Sequence, residues 1–544
     1  MPRLHRLPLL AVLALLLSVA LFSAAATAAH ADTTQVTIMQ DDEHVLTDPT
    51  GTLNQLRSLG ATYVRIFMGW GSIAPDPNSR KRPGGFSPTS PSAYPAAHWA
   101  PYDAAVRAAT ARGMGVYFVL TGPAPLWATG VPPRGTASHN PLVYEPSPTL
   151  FGDFAAAVGK RYSGSFRPPG SSSPLPAVKF WSIWDEPNYG YQLAPQAVGG
   201  VEVAPYLYRG LLDQAWGALR ATGHGSNTIL IGETAPRGAN NPGVANGMVP
   251  LRFLRALYCV NSSFQELRGA AARARDCPAT AAASRRFRSQ NPALFEASGF
   301  AAHLYTSGQV SRPNLPNPPN EPDYAGLINL PALEHTLDRL NQTYGSHTRF
   351  RIYNTEFGFQ TNPPKPTCGC VFLSPATAAY YLNWSEYIEW TNPRVASDGQ
   401  YLLYDAPVLG HPNESGFSSG LLFSNGTAKV DYAAFQLPLY LPVTSTQTGG
   451  SLVVWGQARP APFAKRDTGL AQQVQIEFQP ASGGTWSTVS TATITNSAGY
   501  FKVSVNFPSS GSVRLQWSYP STFAFLAPYA SPIVTSRTQA ITIG

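Results

Sequence analysis

Short runs of β-branched and aromatic residues alternate with longer amphipathic segments over the first three quarters of the chain. The runs are typical of strands buried on both faces, and the segments between them have the spacing of helices. Eight runs recur in this way, which indicates an α/β fold, a (β/α)₈ or TIM barrel with long loops. The predicted strands are residues 36–40, 63–68, 115–120, 178–184, 228–232, 300–305, 350–356 and 400–405.

The pattern changes near residue 446, where short alternating runs broken by Gly, Ser and Pro continue to the C-terminus. This pattern is typical of an antiparallel sandwich. We therefore predict a barrel domain over residues 32–442 and a small all-β, immunoglobulin-like sandwich over residues 446–544. Every candidate site residue precedes the sandwich, so we expect it to be a modular accessory domain.

Residues 1–31 have the three parts of an export signal. Arg3 and Arg6 give a basic start, an apolar run over residues 9–22 follows, and Ala29-His30-Ala31 is a small-residue cleavage site. The apolar run is short for a membrane span, and no later stretch is long enough either. We predict a secreted protein without a membrane span, either free or associated with the cell surface.

Composition excludes some kinds of partner. Hydrophobic residues make up 44% of the chain and charged residues only 12%, which allows a sizeable core. Loss of Arg3 and Arg6 with the signal lowers the formal charge from +8 to +6. The basic cluster over residues 285–288 lacks the aromatic interleaving of single-strand binders. We expect a monomer with no nucleic-acid partner.

The chain has four cysteines, which in an exported protein predict disulfides with three possible connectivities. Cys259 with Cys277 would close one loop. Cys368 and Cys370 would either close a very small ring together or pair elsewhere. A metal site is disfavoured because no histidines stand at ligand spacing beside these cysteines.

Polar and aromatic side chains stand where the predicted strands end. A barrel fills its interior with branched apolar residues, so this set is not needed for packing and predicts an active site at the carboxyl ends of the strands. Two glutamates on different strands with aromatics around them are the arrangement that glycoside hydrolysis requires. The set comprises Asp41, Asp42, Arg65, Trp127, Glu186, Glu233, His303, Tyr305 and Glu356.

Two motifs carry a family resemblance. Trp184-Asp185-Glu186-Pro187-Asn188 on strand four and Thr355-Glu356-Phe357-Gly358 on strand seven resemble the acid/base and nucleophile signatures of clan A retaining glycoside hydrolases, families 5 and 39 in particular. The resemblance covers residues 32–442. It implies that Glu186 is the general acid/base and Glu356 the nucleophile.

The same resemblance implies supporting roles. Arg65 matches a strand-two arginine near the nucleophile, and Tyr305 matches a tyrosine that hydrogen-bonds it. His303 lies two residues before Tyr305 and shares its face of the strand. We predict that substrate is bound by Asp185, Arg65, His303, Tyr305, Trp127, Glu233 and Asn188.

The chain departs from the clan pattern at two positions. Asp185 stands where the clan usually has Asn, and an ionised Asp only accepts hydrogen bonds. Its charge would also favour a protonated Glu186. The predicted strand eight ends in Tyr404-Asp405, where the clan commonly has Trp.

Two further motifs match catalytic patterns in their residues, but the sequence around them does not fit those patterns. Asn320-Glu321-Pro322 spells the clan's usual triplet, but it follows a Pro-rich loop rather than a strand. Residues 416–420 match the G-x-S-x-G nucleophile elbow, which needs a strand before it and a helix after it. We predict loops at both.

These observations predict a secreted retaining glycoside hydrolase that cleaves O-glycosidic bonds of a polysaccharide or oligosaccharide by double displacement. Its two carboxyl groups suffice for this reaction, so we expect no metal and no organic cofactor. The alternative is a non-catalytic glycan-binding or cell-surface protein on a glycosidase barrel. The sugar, the linkage and the choice between internal and terminal cleavage stay open.

Overall fold

The computed structural model describes residues 31–134, 140–366, 370–408, 411–520 and 533–544. The predicted export signal, except for its last residue, lies outside these ranges, as does Cys368. No helix in the described ranges is both long enough and apolar enough to cross a membrane.

Eight parallel strands close into a barrel in which each strand pairs with the next and the last pairs with the first. This confirms the predicted (β/α)₈ fold. The strands are β1 Val36–Gln40, β2 Tyr63–Gly69, β3 Gly115–Thr121, β4 Phe180–Ile183, β5 Thr228–Thr234, β6 Gly299–His303, β7 Ile352–Glu356 and β8 Val395–Tyr401.

Helices cover the outside of the barrel. In chain order they are α1 Asp42–Thr47, α2 Pro49–Ser58, α3 Trp70–Ile73, α4 Ala96–Ala111, α5 Pro148–Arg161, α6 Ala204–Leu219, α7 Pro250–Leu257, α8 Gly269–Arg273, α9 Ala281–Gln290, α10 Ala293–Glu296, α11 Leu330–Thr343, α12 Pro375–Thr391 and α13 Val430–Gln436.

Strand β3 illustrates how the sequence builds two cores at once. Val116, Phe118 and Leu120 pack outward against the helices, whereas Tyr117 and Val119 join the apolar layer inside the barrel. Side chains alternate along a strand, so a strand buried on both faces must be apolar nearly throughout. This explains why continuous apolar runs identified most of the strands.

Strand β8 is the exception, and its prediction was wrong. The strand is Val395–Tyr401, five residues earlier than predicted, and Leu402–Asp405 lies beyond it. Tyr401 is therefore the residue at the carboxyl end of the strand, in place of Tyr404 and Asp405. Asp405 is instead buried against Lys429, with 2.6 Å between its Oδ1 and the lysine Nζ.

The C-terminal part forms two packed sheets that share one apolar core. The three-stranded sheet contains Leu439–Tyr440 (β9), Ser451–Gln457 (β11) and Tyr500–Asn506 (β14). The six-stranded sheet contains Ser445–Thr446 (β10), Gln472–Pro480 (β12), Ser487–Ile494 (β13), Gly511–Ser518 (β15), Ile533–Thr535 (β16) and Gln539–Ile543 (β17). One helix, α14 Ala461–Thr468, was not predicted. The immunoglobulin-like topology stays a prediction.

Arg459, just before α14, joins the two domains and is completely buried. Its guanidinium donates to Glu386 of α12 at 2.9 Å, and also to Asp398 of β8 and to the carbonyl of Phe435. Nearby, Trp390 of the barrel packs with Trp455 and Tyr500 of the sandwich. The sandwich thus packs against the base of the barrel through buried polar and aromatic contacts.

A disulfide joins Cys259 and Cys277, as in one of the predicted pairings. Cys370 is also disulfide-bonded. The motif Asn320-Glu321-Pro322 lies in a loop as predicted, and Glu321 accepts from the Asn240 amide at 2.9 Å. The loop predicted for residues 416–420 was wrong in part, because Gly416 and Phe417 end a strand, His411–Phe417. The helix that a nucleophile elbow needs does not follow, since residues 418–420 are irregular. Ser418 is buried and donates to the carbonyl of Thr361 at 3.0 Å, so it is not an exposed nucleophile.

Candidate active site

A cavity of about 410 Å³ opens at the carboxyl end of the barrel strands. Its walls combine carboxyl groups, amides and aromatic rings, and one arginine. The described residues that line it are Phe67, Asp185, Glu186, Tyr189, Gln192, Ala235, Pro236, Arg237, Gly238, Tyr305, Gln309, Glu356, Tyr401 and Phe417.

The end of β4 is bent so that Glu186 faces this cavity. Trp184 has φ 67° and Glu186 has φ 38°, both in the left-handed region that non-glycine residues rarely adopt. Two backbone bonds hold the bend, from Trp184 N to the Leu120 carbonyl at 2.7 Å and from Glu186 N to the Glu233 carbonyl at 2.9 Å. Strain of this kind is typical of functional sites.

Glu356 ends β7 and is held through both of its oxygens. Arg65 donates to Oε1 at 2.6 Å, and the Tyr305 hydroxyl donates to Oε2 at 3.2 Å. Arg65 itself is fully buried inside the barrel. The carboxylate of Glu356 is thereby fixed in position, as the resemblance implied for the nucleophile.

His303 lies between the two glutamates. Its Nδ1 is 2.9 Å from Glu186 Oε1 and 3.4 Å from Glu356 Oε2. Burial disfavours a charged ring, but Glu356, Glu186 and Glu233 outweigh burial and raise the pKa of His303 well above its usual value. The ring is therefore an imidazolium that donates toward the carboxyl groups.

Glu233 lies beneath the site, where its buried negative charge faces the positive charges of Arg65 and His303. Its Oε2 accepts from Arg65 at 3.0 Å, from His303 at 2.8 Å and from Thr355 at 2.7 Å, and Oε1 accepts from Ser182 at 2.7 Å. Burial alone would favour a neutral carboxyl, but Arg65 and His303 outweigh it and hold the pKa of Glu233 well below its usual range. Glu233 thus supports the site from below, and it is not among the residues that line the cavity.

The carboxyl oxygens of Glu186 and Glu356 approach each other closely. One oxygen from each, together with His303 Nδ1 or Nε2, forms a group whose atoms lie within 4.8 Å of one another. This upper bound on the distance between the nearest oxygens is below the separation of about 6.5–9.5 Å between the two carboxyl groups of inverting enzymes.

Asp185 forms part of the cavity wall but is only 3% exposed. Burial and the charge of Glu356 raise its pKa well above the usual range, although Arg65 and His303 act in the opposite direction. Arg65 donates to its Oδ1 at 2.9 Å and Gln192 to its Oδ2 at 3.1 Å. A protonated Asp185 can both donate and accept hydrogen bonds, as the clan's Asn does. The replacement of Asn by Asp therefore changes the hydrogen bonding at this position less than the sequence suggested.

Other predicted residues lie away from the cavity. Trp127 packs edge-on against Trp70 and donates to the Pro75 carbonyl at 3.0 Å. Asn188 is fully buried, and its amide bonds only to backbone, including Ala235 N at 2.8 Å. Neither residue is among those that line the cavity, because both side chains hydrogen-bond to backbone groups of neighbouring loops.

The sequence analysis missed several residues that the structure brings to the cavity. Phe67 lies in β2, two residues after Arg65, and Tyr401 ends the misplaced β8. The others stand on the connections that follow the strands, where the apolar pattern gives no signal. The missed lining residues are Phe67, Gln192, Arg237, Gln309, Tyr401 and Phe417.

Two carboxylate–histidine groups in the site have a spacing that could suit a metal ion, and both contain His303. In both groups His303 already contacts a carboxylate through each ring nitrogen. Arg65 supplies a further positive charge to Asp185, Glu233 and Glu356. The carboxylates of both groups are therefore already paired with the positive charges of Arg65 and His303.

Comparison with known proteins gives similarities of fold only. No family model matches the chain, and no curated protein matches it. A β-glucuronidase 2 of Bacteroides uniformis is 11% identical with TM-score 0.39, over 94% of this chain and 46% of that one. The present chain therefore spans less than half the length of that protein.

Two shorter structures are covered more fully. A family 39 glycoside hydrolase of Bacteroides cellulosilyticus is 12% identical with TM-score 0.43, over 88% of this chain and 80% of that one. An endo-β-1,4-mannanase of Thermotoga petrophila is 9% identical with TM-score 0.39, over 94% and 98%. At these identities and TM-scores the similarities carry no argument about the activity of this chain.

Proposed function

We propose that the protein is a retaining glycoside hydrolase in which Glu356 is the nucleophile and Glu186 the acid/base. One observation carries the proposal: carboxyl oxygens of Glu186 and Glu356 lie within 4.8 Å of each other at the cavity. Retaining enzymes hold their two carboxyl groups about 5–5.5 Å apart, closer than inverting enzymes do.

In the first step, an oxygen of Glu356 bonds to the anomeric carbon while the glycosidic bond breaks. Glu186 gives its proton to the leaving oxygen. Because Oε1 of Glu186 accepts from His303, its Oε2 is the oxygen that carries this proton. Arg65 and Tyr305 hold the attacking carboxylate in place, which lowers the entropic cost of the reaction.

In the second step, Glu186 takes a proton from water, and the water oxygen bonds to the anomeric carbon as Glu356 leaves. The free sugar departs with its original anomeric configuration. His303 holds Glu186 through both steps, and Glu233 balances the charge of His303 from below. Glu233 and His303 thus position the acid/base without touching substrate.

The cavity walls suit a carbohydrate. Tyr189, Tyr305, Tyr401 and Phe417 offer aromatic faces or edges, and Gln192 and Gln309 offer amide donors and acceptors. A protonated Asp185 adds a donor and acceptor of the kind that the clan's asparagine provides. Sugars expose both apolar faces and hydroxyl groups, so this combination supports a saccharide substrate.

We also propose export as the cellular setting. The basic start and apolar run of residues 1–31 support it, and the Cys259–Cys277 disulfide is typical of oxidising compartments. N-terminal sequencing of the protein recovered from culture medium tests the expected cleavage after Ala31.

The proposed activity is tested by screening purified protein on aryl glycosides and polysaccharides. We expect Glu356→Ala to lose nearly all turnover, because it removes the carboxylate that bonds to the anomeric carbon. Glu186→Ala should keep part of its activity on substrates with good leaving groups, and azide should raise that activity. Glu296→Ala, which removes an exposed carboxylate at the other end of the barrel, is the matched control.

The alternative is a glycan-binding protein without catalysis. Saccharide binding without released sugar, across a broad panel, would favour it. Equal activity of Glu356→Ala and wild type would contradict the proposed roles.

A further inference from the structure

Arg237 is the only cationic side chain among the described residues that line the cavity. It follows β5 on the loop that begins with Ala235, and its side chain is half-buried. Throughout the described ranges, no hydrogen bond or ion pair reaches its guanidinium group. An arginine in a cavity wall with all five donors unused is available to a ligand.

Other arginines of the chain have structural roles, in which the guanidinium group hydrogen-bonds to acceptors of the protein itself. Arg459 and Arg209 are buried and donate to backbone carbonyls and other acceptors. The half-buried Arg252 donates to Glu202 at 2.7 Å, and Arg394 donates to Asp338 at 2.9 Å. Arg237 has no such partner, so a structural role does not account for it.

The backbone that carries Arg237 is firmly held. The Pro236 carbonyl accepts from Ala325 N at 2.9 Å, and Ala239 N donates to the Gly247 carbonyl at 2.7 Å. At Gly238 a Cβ atom would lie 2.3 Å from the carbonyl carbon of Met248, so only glycine fits this packing. The loop therefore presents the guanidinium from a fixed base.

The cations beneath the cavity differ from Arg237 in having carboxylate partners. Arg65 and His303 face Glu233 and Glu356, and His303 also faces Glu186. Arg237, by contrast, forms no ion pair with any described residue, which favours a negatively charged ligand.

The surroundings of Arg237 reach toward the acid/base. Burial and then Glu186 raise the pKa of Tyr189, and Arg237 acts in the opposite direction. Tyr189 therefore lies within electrostatic range of both groups. Glu321, the other nearby acid, is engaged with Asn240 and makes no ion pair with Arg237.

We propose that the cavity takes a saccharide with an anionic substituent, a carboxylate or a sulfate ester, and that Arg237 binds this group. The planar guanidinium matches both groups with two parallel hydrogen bonds, which gives orientation as well as attraction. This inference rests on the proposed function, because it names the class of substrate for the same cavity.

The test uses substrate pairs that differ only in charge. Oligosaccharides with uronic acids are compared with their carboxyl-reduced forms, and sulfated oligosaccharides with their desulfated forms. We expect wild type to favour one class of charged substrate over its neutral partner. The ratio of kcat/KM for the charged over the neutral partner should fall about 10- to 100-fold in Arg237→Gln, since charged hydrogen bonds are lost.

Two variants give the controls. Arg237→Lys keeps the charge but loses the two-pronged geometry, so it should restore part of the preference. Arg349→Gln removes one positive charge from an arginine that is 72% exposed at the far end of the barrel, and it should leave the ratio unchanged. The same ratios in wild type and Arg237→Gln, or no preference in wild type, would overturn the inference.

Failure of the proposed function would be visible separately. If no member of the panel is hydrolysed, calorimetric binding of the same pairs to Glu356→Gln still measures the preference for charge. Tighter binding of the charged member that disappears in the Arg237→Gln double variant supports the inference, and equal binding of both members contradicts it.

Discussion

At the scale of single residues, burial beside Glu356 raises the pKa of Asp185 well above its usual range and favours the neutral carboxyl. A neutral carboxyl and an amide have the same shape and both can donate and accept hydrogen bonds. The clan's asparagine and this aspartate therefore present similar groups to a sugar hydroxyl. The sequence alone suggested the opposite, because the pKa depends on burial that only the fold creates.

We expect Asp185→Asn to keep kcat/KM within about tenfold of wild type in mildly acidic buffer, which is a barrier change of about 1.4 kcal/mol or less. Asp185→Ala should lose more, because one N–H of Arg65 and one N–H of Gln192 then lose their acceptor. Activity against several aryl glycosides measures both. Loss of all activity in Asp185→Asn would show that a charged aspartate is needed.

The raised pKa of Asp185 also predicts a pH dependence. The folded state binds this proton more tightly than the unfolded state does, so stability falls as pH rises from the ordinary Asp pKa through the raised one. Asp185→Asn cannot ionise, so its kcat/KM and its free energy of unfolding should persist to higher pH. Superimposable pH profiles of the two proteins would contradict this.

The two central glutamates could be predicted from sequence, whereas the role of Glu233 could not. Each of Glu186 and Glu356 stands at the end of an apolar strand, which is a local signal. Glu233 has a similar local signal, but its partners come from five other strands. These partners come together only in the closed barrel, where they hydrogen-bond to both carboxyl oxygens of Glu233.

At the scale of elements, β8 shows why one strand could not be located from its apolar pattern. The strand is rich in buried polar residues, each with its own partner. Ser397 donates to the Asn354 carbonyl at 2.8 Å, Asp398 accepts from Arg459, and Gln400 donates to the Ser419 carbonyl at 2.8 Å. The sequence just after it is more apolar and resembles a strand, but it lies beyond the barrel.

The segment between α7 and α9, which contains α8, is closed by the Cys259–Cys277 disulfide, with a sequence separation of 18. A disulfide that closes a loop of this length stabilises the fold by restricting the unfolded chain. We therefore expect Cys259→Ala/Cys277→Ala to lower the free energy of unfolding by about 3 kcal/mol. No proposed site residue lies in the loop, so kcat/KM should change little. Urea unfolding under non-reducing conditions measures this, and an unchanged midpoint would show that the loop is held by packing alone.

At the scale of the whole molecule, the sandwich completes the barrel. Arg459 brings the positive charge that Glu386 and Asp398 face at the base of the barrel. Burial raises the pKa of Glu386 to about 7 even with Arg459 present. These contacts argue against the expectation that the barrel stands alone, and an arginine thirteen residues into the second domain gave no sequence signal of this role.

We therefore expect Arg459→Met to lower the free energy of unfolding by about 3–5 kcal/mol, because it leaves two carboxyl groups buried without their cation. Arg466→Gln is the control: this arginine pairs with Asp467 at the surface and should contribute about 0–1 kcal/mol. A protein truncated near residue 443 should fail to fold. Native circular dichroism and full activity of that truncated protein would support the modular view instead.

The central claim is that Glu356 attacks the anomeric carbon across from Glu186. The most direct test is to follow the first-formed sugar by proton NMR during cleavage of a substrate of known configuration. The close approach of the two carboxyl groups predicts that the product keeps the configuration of the substrate and reaches the other anomer only by slow mutarotation. A first product of opposite configuration would mean that water attacks directly, and Glu356 would not be the nucleophile.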